Sequence, residues 1–282
     1  MIWLIIVLVI VLLAAAAWLF CIAPASPRGD FSRLAAYDYA HRGLHDKDAG
    51  VPENSLAAFR DAVKAGYGIE WDLQLTKDKK VVVHHDRSLK RLCGADVSIG
   101  DLTYKELQNY RLYGTEERTP LFTEALSVVS GKTPLIIELK GYDDPELLCP
   151  LVWEILKDYK GDYCIESFQP KIVAWFRRHH PHVLRGQLMG HFTAEEFKGK
   201  GGALAAFFAR NLFSNVLTRP HFEAYDLHFR SNFSLRTACG LLNMQEVSWT
   251  IHSAEEYSVC KNAGALCIFE HIRPVISDGR EH

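Results

Sequence analysis

Three short segments in the first third of the chain carry imidazole, guanidinium and carboxylate groups. They are His41-Arg42-Gly43, Glu70-Trp71-Asp72 and His84-His85-Asp86. Carboxylates bind hard divalent cations, a guanidinium binds phosphate, and an imidazole exchanges protons near neutral pH. These side chains are the ones that metal-assisted cleavage of a phosphodiester needs, provided that the fold brings them together.

Two predicted strands carry the last two of these segments. Residues 68–75 alternate between apolar and polar side chains, and residues 80–85 are rich in valine, which is typical of strands. The polar link over residues 76–79 is much shorter than the dozen or so residues that a parallel crossover requires. The two strands are therefore predicted to form an antiparallel hairpin.

The register of this hairpin predicts which side chains meet. With the turn centred near Asp78, His85 lies opposite residue 71 and therefore between Glu70 and Asp72. Side chains alternate along a strand, so the two carboxylates share one face. An imidazole and two acids are expected to converge there.

A third strand candidate adds one more acid. In the apolar segment 134–140, alternation places Glu138 and Lys140 on one face, and buried charges of this kind require a partner or a bound ion. A carboxylate beside Glu70 and Asp72 would complete an all-oxygen site suited to Ca²⁺ or Mg²⁺, whereas zinc sites draw mainly on His and Cys.

Further motifs follow along the rest of the chain. They are Pro52-Glu53-Asn54, Gln74-Leu75-Thr76-Lys77-Asp78, Pro120-Leu121-x-x-Glu124-Ala125-Leu126, Ile137-Glu138-Leu139-Lys140, Ser167-Phe168 and Trp249-Thr250. With the histidine and carboxylate segments, and in this order from about residue 37 to about residue 274, the set resembles the glycerophosphodiester phosphodiesterase family. The resemblance implies an enzyme that releases an alcohol and glycerol 3-phosphate from a glycerophosphodiester.

The resemblance also implies roles for individual residues. They are catalytic imidazoles at His41 and His85, ligands of one divalent cation at Glu70, Asp72 and Glu138, and phosphate contacts at Arg42 and Lys140. Members of the family usually carry Thr-Asp before a proline near the C-terminus, but this chain has Phe269-Glu270-His271-Ile272-Arg273-Pro274. We therefore expect the contacts of the last strand and the choice of substrate to differ.

Other polar and aromatic residues have open assignments. Glu53 and Glu166 are candidates for substrate contact or for a structural role, and Trp249 is a wall of the substrate pocket or part of the core. His84 is expected to point away from the site. The remaining histidines in polar segments are predicted to be on the surface, namely His45, His179, His180, His182 and His191.

The order of the predicted elements indicates an α/β fold. About 255 residues follow the first 27, the usual size of one (β/α)8 TIM barrel, so the predicted domains are residues 1–27 and 28–282. Strands are predicted at 36–41, 68–74, 134–140, 162–168, 183–188, 224–229, 246–251 and 265–269, with the 80–85 strand outside the parallel set. Helices are predicted at 55–65, beginning with Asn54 or Ser55 as the cap, at 146–159 and at 254–263.

Two segments depart from this regular order. Residues 87–133 are long for a crossover and are expected to hold a short inserted subdomain. Residues 202–217 form an apolar helical pattern, which we interpret as an ordinary barrel helix with a buried face in preference to a lid or a lipid contact.

The N-terminal segment predicts an association with the membrane. Residues 1–27 carry no charge, and residues 2–23 are long enough to cross a bilayer. A cleaved signal peptide is the alternative, but the basic start that it normally has is missing. Arg28, Arg33 and Arg42 follow the segment, which favours a single-pass anchor with a cytoplasmic catalytic domain. The six cysteines outside the segment show no metal-binding spacing. Cys164 and Cys267 lie in predicted strands, which favours reduced, packed thiols over disulfides.

Charge and motifs leave several hypotheses for function. A net charge of −2 and the lack of a basic-aromatic stripe argue against a nucleic-acid partner. A membrane-anchored lysophospholipase D would use the same residues, and an inactive membrane-tethered binding module would have lost at least one of them. A glycoside hydrolase with Glu138 and Glu166 as its acid pair would leave both histidines without a role. For the phosphodiesterase, we assign His41 as acid and His85 as base, with the glycerol hydroxyl or water as nucleophile.

Overall fold

Nine β-strands lie in the part of the chain that the computed structural model describes, residues 1–275. They are β1 Tyr39–His41, β2 Gly68–Leu75, β3 Val81–Val83, β4 Leu135–Leu139, β5 Tyr163–Ser167, β6 Arg185–Met189, β7 Phe222–Asp226, β8 Gln245–Ile251 and β9 Leu266–Phe269. All except β3 are parallel to their neighbours, in the order β1-β2-β4-β5-β6-β7-β8-β9, and β9 pairs with β1. The predicted (β/α)8 barrel is confirmed.

The predicted hairpin is also confirmed. Strand β3 is antiparallel to the end of β2, and the pairs Leu73 with Val83 and Leu75 with Val81 give the expected register. Strand β7 differs from its prediction, because it begins at Phe222 and ends at Asp226, and Leu227–Phe229 is a 3-10 helix.

The helices surround the barrel. They are α1 Ile2–Ile22, α2 Ser32–Ala35, α3 Leu56–Lys64, α4 Lys90–Cys93, α5 Tyr104–Leu107, α6 Phe122–Val129, α7 Pro145–Leu156, α8 Pro170–His179, α9 Gly202–Arg210, α10 Asn215–Thr218, α11 Phe233–Gly240 and α12 Ala254–Asn262. At α3, Ser55 is the N-cap and its hydroxyl accepts from the Ala58 amide at 3.2 Å. This bond satisfies an amide that has no partner inside the helix.

Successive side chains of β2 point alternately out of the barrel, into the apolar core, and into the barrel, toward the candidate site. The outward side chain of Trp71 packs edge-on against Phe59 of α3 and Phe122 of α6, with ring centroids 5.0 Å and 5.8 Å away. Its neighbours Glu70 and Asp72 therefore point into the barrel. The hydrophobic effect acting on Trp71 thus fixes the side on which the carboxylates lie.

The predicted insertion between β3 and β4 is small and has its own apolar cluster. It contains α4, α5 and two 3-10 helices, Ile99–Asp101 and Leu112–Gly114, before the barrel helix α6. Leu89, Ile99 and Leu107 pack together with Val82 of β3. This contact holds α4 close to the C-terminal edge of the barrel.

The apolar pattern over residues 202–217 does not form one buried helix, so that interpretation was wrong. It divides into α9 and α10, and Leu212 has a positive φ of 63° between them. Leu212 is buried, but Leu204, Phe207 and Phe208 of α9 are exposed.

Helix α1 leaves the barrel and is exposed along most of its length. It has 21 residues, and an 18-residue stretch within it has a mean hydropathy of 3.2, so it is long and apolar enough to cross a membrane, although a signal sequence would have the same properties. Its last turns contact the barrel. Trp18 stacks on Phe233 with centroids 5.3 Å apart, Ile22 is buried, and Arg219 donates to the carbonyl oxygens of Phe20 and Ala23.

Candidate active site

Three carboxylates meet inside the C-terminal end of the barrel. Glu70 and Asp72 lie on β2, and Glu138 lies on β4 in register with Asp72. All three are buried, and one oxygen from each lies within 4.8 Å of the others. An oxygen-only set of this kind is what Ca²⁺ and Mg²⁺ prefer.

The charges at this cluster are not balanced by the protein alone. Lys140 Nζ donates a hydrogen bond to Glu138 Oε2 at 2.9 Å. It also lies 2.9 Å from Asp72 Oδ1, but this contact is an ion pair without hydrogen-bond geometry. Burial, with Asp72 and Glu138 nearby, raises the pKa of Glu70 well above its ordinary value. Burial also raises the pKa of Glu138 to about 7, against the effect of Lys140. Arg42 Nε also lies 3.6 Å from Asp72 Oδ2. Lys140 and Arg42 thus bring two positive charges to three carboxylates, so the three ionised groups need a further positive charge, and the residues fit a divalent cation.

Arg42 is held beside the carboxylates by side-chain and backbone contacts. Its guanidinium donates to Glu53 at 2.6 Å, and its backbone amide donates to Glu70 at 3.1 Å. The amide nitrogen of the Asn54 side chain donates to Asp72 Oδ2 at 2.8 Å. Arg42 and Asn54 both have positive φ, 56° and 54°, a costly conformation that persists only where the surroundings enforce it.

The backbone conformation and the packing at position 43 require a glycine. Its φ is +83°, and a Cβ there would lie 2.8 Å from the Cβ of Ala58 on α3. A side chain at this position would push helix α3 away from the turn that carries His41 and Arg42.

The first imidazole has a carboxylate partner that was not predicted. His41 Nδ1 lies 2.9 Å from Glu270 Oε2, and its Nε2 lies 3.9 Å from Glu70 Oε2. An ionised carboxylate can only accept, so His41 Nδ1 carries the hydrogen, and Nε2, the nitrogen that can gain or lose a proton, faces the cluster. Burial lowers the pKa of His41 to about 4, although Glu270 acts in the opposite direction.

The second imidazole is held in the same way. His85 Nδ1 lies 2.7 Å from Asp86 Oδ1, and Arg91 of α4 donates to Asp86 Oδ2 at 2.7 Å. Arg91 also donates to Glu53 at 2.6 Å and 2.8 Å. Although burial acts against it, Arg91 lowers the pKa of Asp86 to about 2, and burial lowers the pKa of His85. The insertion thus supplies one cation that steadies the partners of both His85 and Arg42.

Most of the predicted site residues line one cavity of about 110 Å³. The lining residues are His41, Arg42, Glu70, His85, Glu138, Glu166, Phe168, Leu188, Trp249, Thr250 and Ile268. Asp72 is buried and is not among them. Lys140 lines an adjoining depression together with His85, Glu138 and Phe168. Glu166 and Trp249 therefore face the site, and each has a buried polar atom without a hydrogen-bond partner, Glu166 Oε2 and Trp249 Nε1.

Other histidines confirm and correct the sequence predictions. His84 points away from the cavity and its Nδ1 lies 3.2 Å from Thr119 Oγ1. His45 was wrongly predicted to be on the surface, because its side chain is only 9% exposed and its Nε2 lies 3.3 Å from Glu270 Oε1. His179, His182 and His191 are exposed as predicted, and His180 is half-buried, stacked on Trp153.

Glu270, Asn54 and Arg91 were missed as contributors to the site. Glu270 directly follows the last barrel strand, so its position at the C-terminal edge was a signal that could have identified it. Arg91 lies in the insertion, where no strand or helix period indicates which side chain turns toward the barrel.

Comparisons with known proteins agree with this geometry. The model of the Glycerophosphoryl diester phosphodiesterase family matches residues 41–269. The lysophospholipase D GDPD1 of Rattus norvegicus is 34% identical over 144 residues, which are 46% of this chain and 44% of that protein. A glycerophosphodiester phosphodiesterase of Bacillus altitudinis is 30% identical over 158 residues, 51% of this chain and 63% of that protein. The chain thus matches less than two thirds of the length of either relative.

A solved structure shows the same fold. The crystal structure of a glycerophosphodiester phosphodiesterase from Thermotoga maritima superposes with a TM-score of 0.62 and 26% identity, covering 83% of this chain and 94% of that one.

Proposed function

Since the chain belongs to the glycerophosphoryl diester phosphodiesterase family, we propose that it hydrolyses glycerophosphodiesters to an alcohol and glycerol 3-phosphate. The observation that supports this most is that the His41 and His85 imidazoles line the same cavity as the carboxylate cluster. The Nδ1 atom of each ring is held by a further carboxylate, Glu270 for His41 and Asp86 for His85. Two proton-transfer groups beside a cation site are what cleavage of a phosphodiester requires.

We assign one divalent cation, Ca²⁺ or Mg²⁺, to Glu70, Asp72 and Glu138. When bound, such a cation would offset the charge of the phosphate and lower the pKa of the attacking hydroxyl. Its positive charge would also allow the three buried carboxylates to ionise together, which Lys140 alone does not achieve.

The imidazoles move the protons. Because Glu270 and Asp86 accept the hydrogen at Nδ1, each ring presents Nε2 to the substrate. We assign His85 as the base that accepts the proton of the nucleophile and His41 as the acid that protonates the leaving alkoxide. An anionic diester in the cavity raises the pKa of both rings, which favours the protonated form that the acid needs. The nucleophile is the glycerol 2-hydroxyl, whose attack expels the alcohol and gives a cyclic phosphate that water then opens to glycerol 3-phosphate. Direct attack by water is the alternative.

Arg42 and Lys140 stabilise the developing charge. Both are cations beside the cavity or its adjoining depression, and donors aimed at phosphoryl oxygens contribute about 3 kcal/mol each in comparable sites. Glu53 keeps the Arg42 guanidinium in place. We assign Glu166 and Trp249 to substrate contact, since both residues line the cavity and each has a buried polar atom without a hydrogen-bond partner.

A second candidate is a membrane-anchored lysophospholipase D. It is favoured by the apolar helix α1 together with the similarity to the rat lysophospholipase D GDPD1. In either case we place α1 in a membrane as a single-pass anchor, with the catalytic domain on the cytoplasmic side. An inactive binding module is disfavoured, because both imidazoles and all three carboxylates are present.

The test follows two products of the full-length protein in detergent micelles, glycerol 3-phosphate from the soluble diesters and choline from lysophosphatidylcholine. The substrates are glycerophosphocholine, glycerophosphoethanolamine and lysophosphatidylcholine, each with Ca²⁺, with Mg²⁺ or with EDTA. We expect cation-dependent release from the two soluble diesters, lost in His41→Ala and Glu70→Gln and retained in Glu255→Gln, an exposed control on α12.

The alternatives predict different results. Release of choline from lysophosphatidylcholine, without release from the soluble diesters, would assign the lysophospholipase. No cleavage of any substrate would contradict both enzymes and favour the binding module.

A further inference from the structure

Five large apolar side chains on α1, α9 and α11 are exposed to solvent. We call them the apolar patch: Phe20 is 62% exposed, Leu204 64%, Phe207 48%, Phe208 42% and Phe233 73%. Exposed apolar groups of this size are tolerated singly on soluble proteins, but a contiguous group marks a contact with another apolar phase. Four of the five belong to the barrel domain rather than to α1.

Contacts between the helices link α9 and α11 to the base of α1. Trp18 of α1 stacks on Phe233, with ring planes 10° apart, and its indole nitrogen donates to Ser234 at 3.3 Å. The Ser234 hydroxyl donates to the side chain of Asn211, which in turn donates to the carbonyl oxygen of Phe207 at 2.9 Å. The patch on α9 and α11 therefore adjoins the base of α1.

The base of α1 is fixed to the barrel. Ile22 is fully buried in a cluster with Met189, Leu212 and Leu235. Arg219 donates to the carbonyl oxygens of Phe20 at 2.6 Å and Ala23 at 3.0 Å, and its guanidinium lies 4.3 Å from the Phe20 ring centroid. The barrel domain is thus attached directly at the end of the helix, without a flexible linker.

The length of α1 leaves no room for a gap between barrel and membrane. At ~1.5 Å per residue, the whole helix is about 31 Å long, close to the ~30 Å of a hydrocarbon core. The part that precedes Trp18, residues 2–17, amounts to only about 24 Å. If α1 spans the bilayer, the level of Trp18 therefore lies at the lipid, and the adjoining side chains lie there too.

We propose that the apolar patch inserts into the interfacial region of the same leaflet that α1 enters, so that the barrel rests on the lipid surface. The occupant of the patch is lipid, with acyl chains against Leu204, Phe207, Phe208 and Phe233. Trp18 and Arg219 lie at headgroup depth, as aromatic and basic residues at membrane interfaces do. This inference rests on the proposal that α1 is a membrane anchor.

The experiment is photocrosslinking to lipid in the full-length protein. A benzoyl-phenylalanine is incorporated at Val9, Phe207, Phe233 or Lys64, one position in each protein, and the protein is reconstituted into vesicles of phosphatidylcholine and phosphatidylglycerol. Val9 reports whether α1 is in the bilayer. Lys64 is exposed on α3, which the strand order places on the far side of the barrel. Lipid adducts are counted by mass spectrometry after illumination.

We expect adducts at Val9, Phe207 and Phe233 at several times the yield at Lys64. Adducts at Val9, with Phe207 and Phe233 no higher than Lys64, would overturn the patch while leaving the anchor intact. No adducts at Val9 would refute the anchor, and the patch proposal would fall with it. Phe208, also exposed on α9, is a second position that confirms or contradicts the result at Phe207.

Discussion

Replacing Glu270 by glutamine tests whether the unpredicted carboxylate positions His41. The amide has the shape of the carboxylate but no charge, so it keeps the packing and weakens the bond to His41 Nδ1, which is 2.9 Å long. Glu270 does not line the cavity, so substrate contacts are unchanged. We therefore expect the loss in kcat and not in KM.

The size of the loss follows from the type of bond. A hydrogen bond to a charged group contributes about 1.5–3 kcal/mol, about twice the value of a neutral one. Glu270→Gln should therefore remove about 1.5 kcal/mol of transition-state stabilisation, which is about tenfold in kcat. Glu270→Ala removes the whole bond and should lower kcat by about a hundredfold.

The assay is the initial rate of glycerol 3-phosphate release at several substrate concentrations, with Glu255→Gln as the matched control for loss of one carboxylate. Circular dichroism checks that each variant is folded. An unchanged kcat in Glu270→Gln, or a higher KM with the same kcat, would refute the positioning role. A loss in Glu270→Ala that glutamine fully restores would show that shape, and not charge, holds the ring.

Three further predictions concern other parts of the fold. Arg91→Ala should lower kcat about tenfold in initial-rate assays, because Asp86 and Glu53 lose a shared charged partner. Lys140→Met should reduce the free energy of unfolding by about 3 kcal/mol in urea titrations, with partial recovery in Ca²⁺ or Mg²⁺, since it removes the ammonium that lies 2.9 Å from both Asp72 and Glu138. Burial lowers the pKa of His221 to about 4, and its Nδ1 accepts from the Arg185 amide, so the folded state resists protonation. Stability should fall as the pH drops from about 6.5 toward 4, and His221→Asn should make this fall smaller by about 2 kcal/mol, allowing for partial solvent access to the ring.

The part of the site that sequence could predict depends on local geometry. A four-residue link permits only a hairpin, and strand alternation then fixes His85 near Glu70 and Asp72, as the register of β2 and β3 confirms. Strand alternation can predict this placement because the residues that it relates are close together in sequence.

The missed contacts depend on tertiary structure. Glu270 meets His41 across 229 positions of sequence, and closure of the barrel by β9 and β1 brings them together. His45 lies in a polar segment, so its neighbours in sequence indicate a surface position, but Glu270 and His271 cover it. No periodic pattern in the chain encodes either contact.

The apolar pattern of residues 202–217 was misinterpreted for a different reason. Its apolar face is real, but hydrophobicity alone does not distinguish a face that packs on the barrel from one that is left open. Leu212 has a positive φ between α9 and α10 and is buried against Ile22 and Leu235, whereas the large apolar side chains of α9 stay exposed. The predicted boundary between residues 27 and 28 stays a prediction.

The packing of α1 against the barrel has a practical consequence for producing the protein. A version shortened to begin at residue 28 would remove Trp18 and Ile22, which cover Leu212, Tyr225 and Leu235. Apolar surface uncovered in this way promotes aggregation, so poor yield of that version would reflect the chosen cut and not an unstable barrel. A version that begins near Trp18 keeps the cover while discarding most of the apolar helix, and is the better starting point for soluble expression.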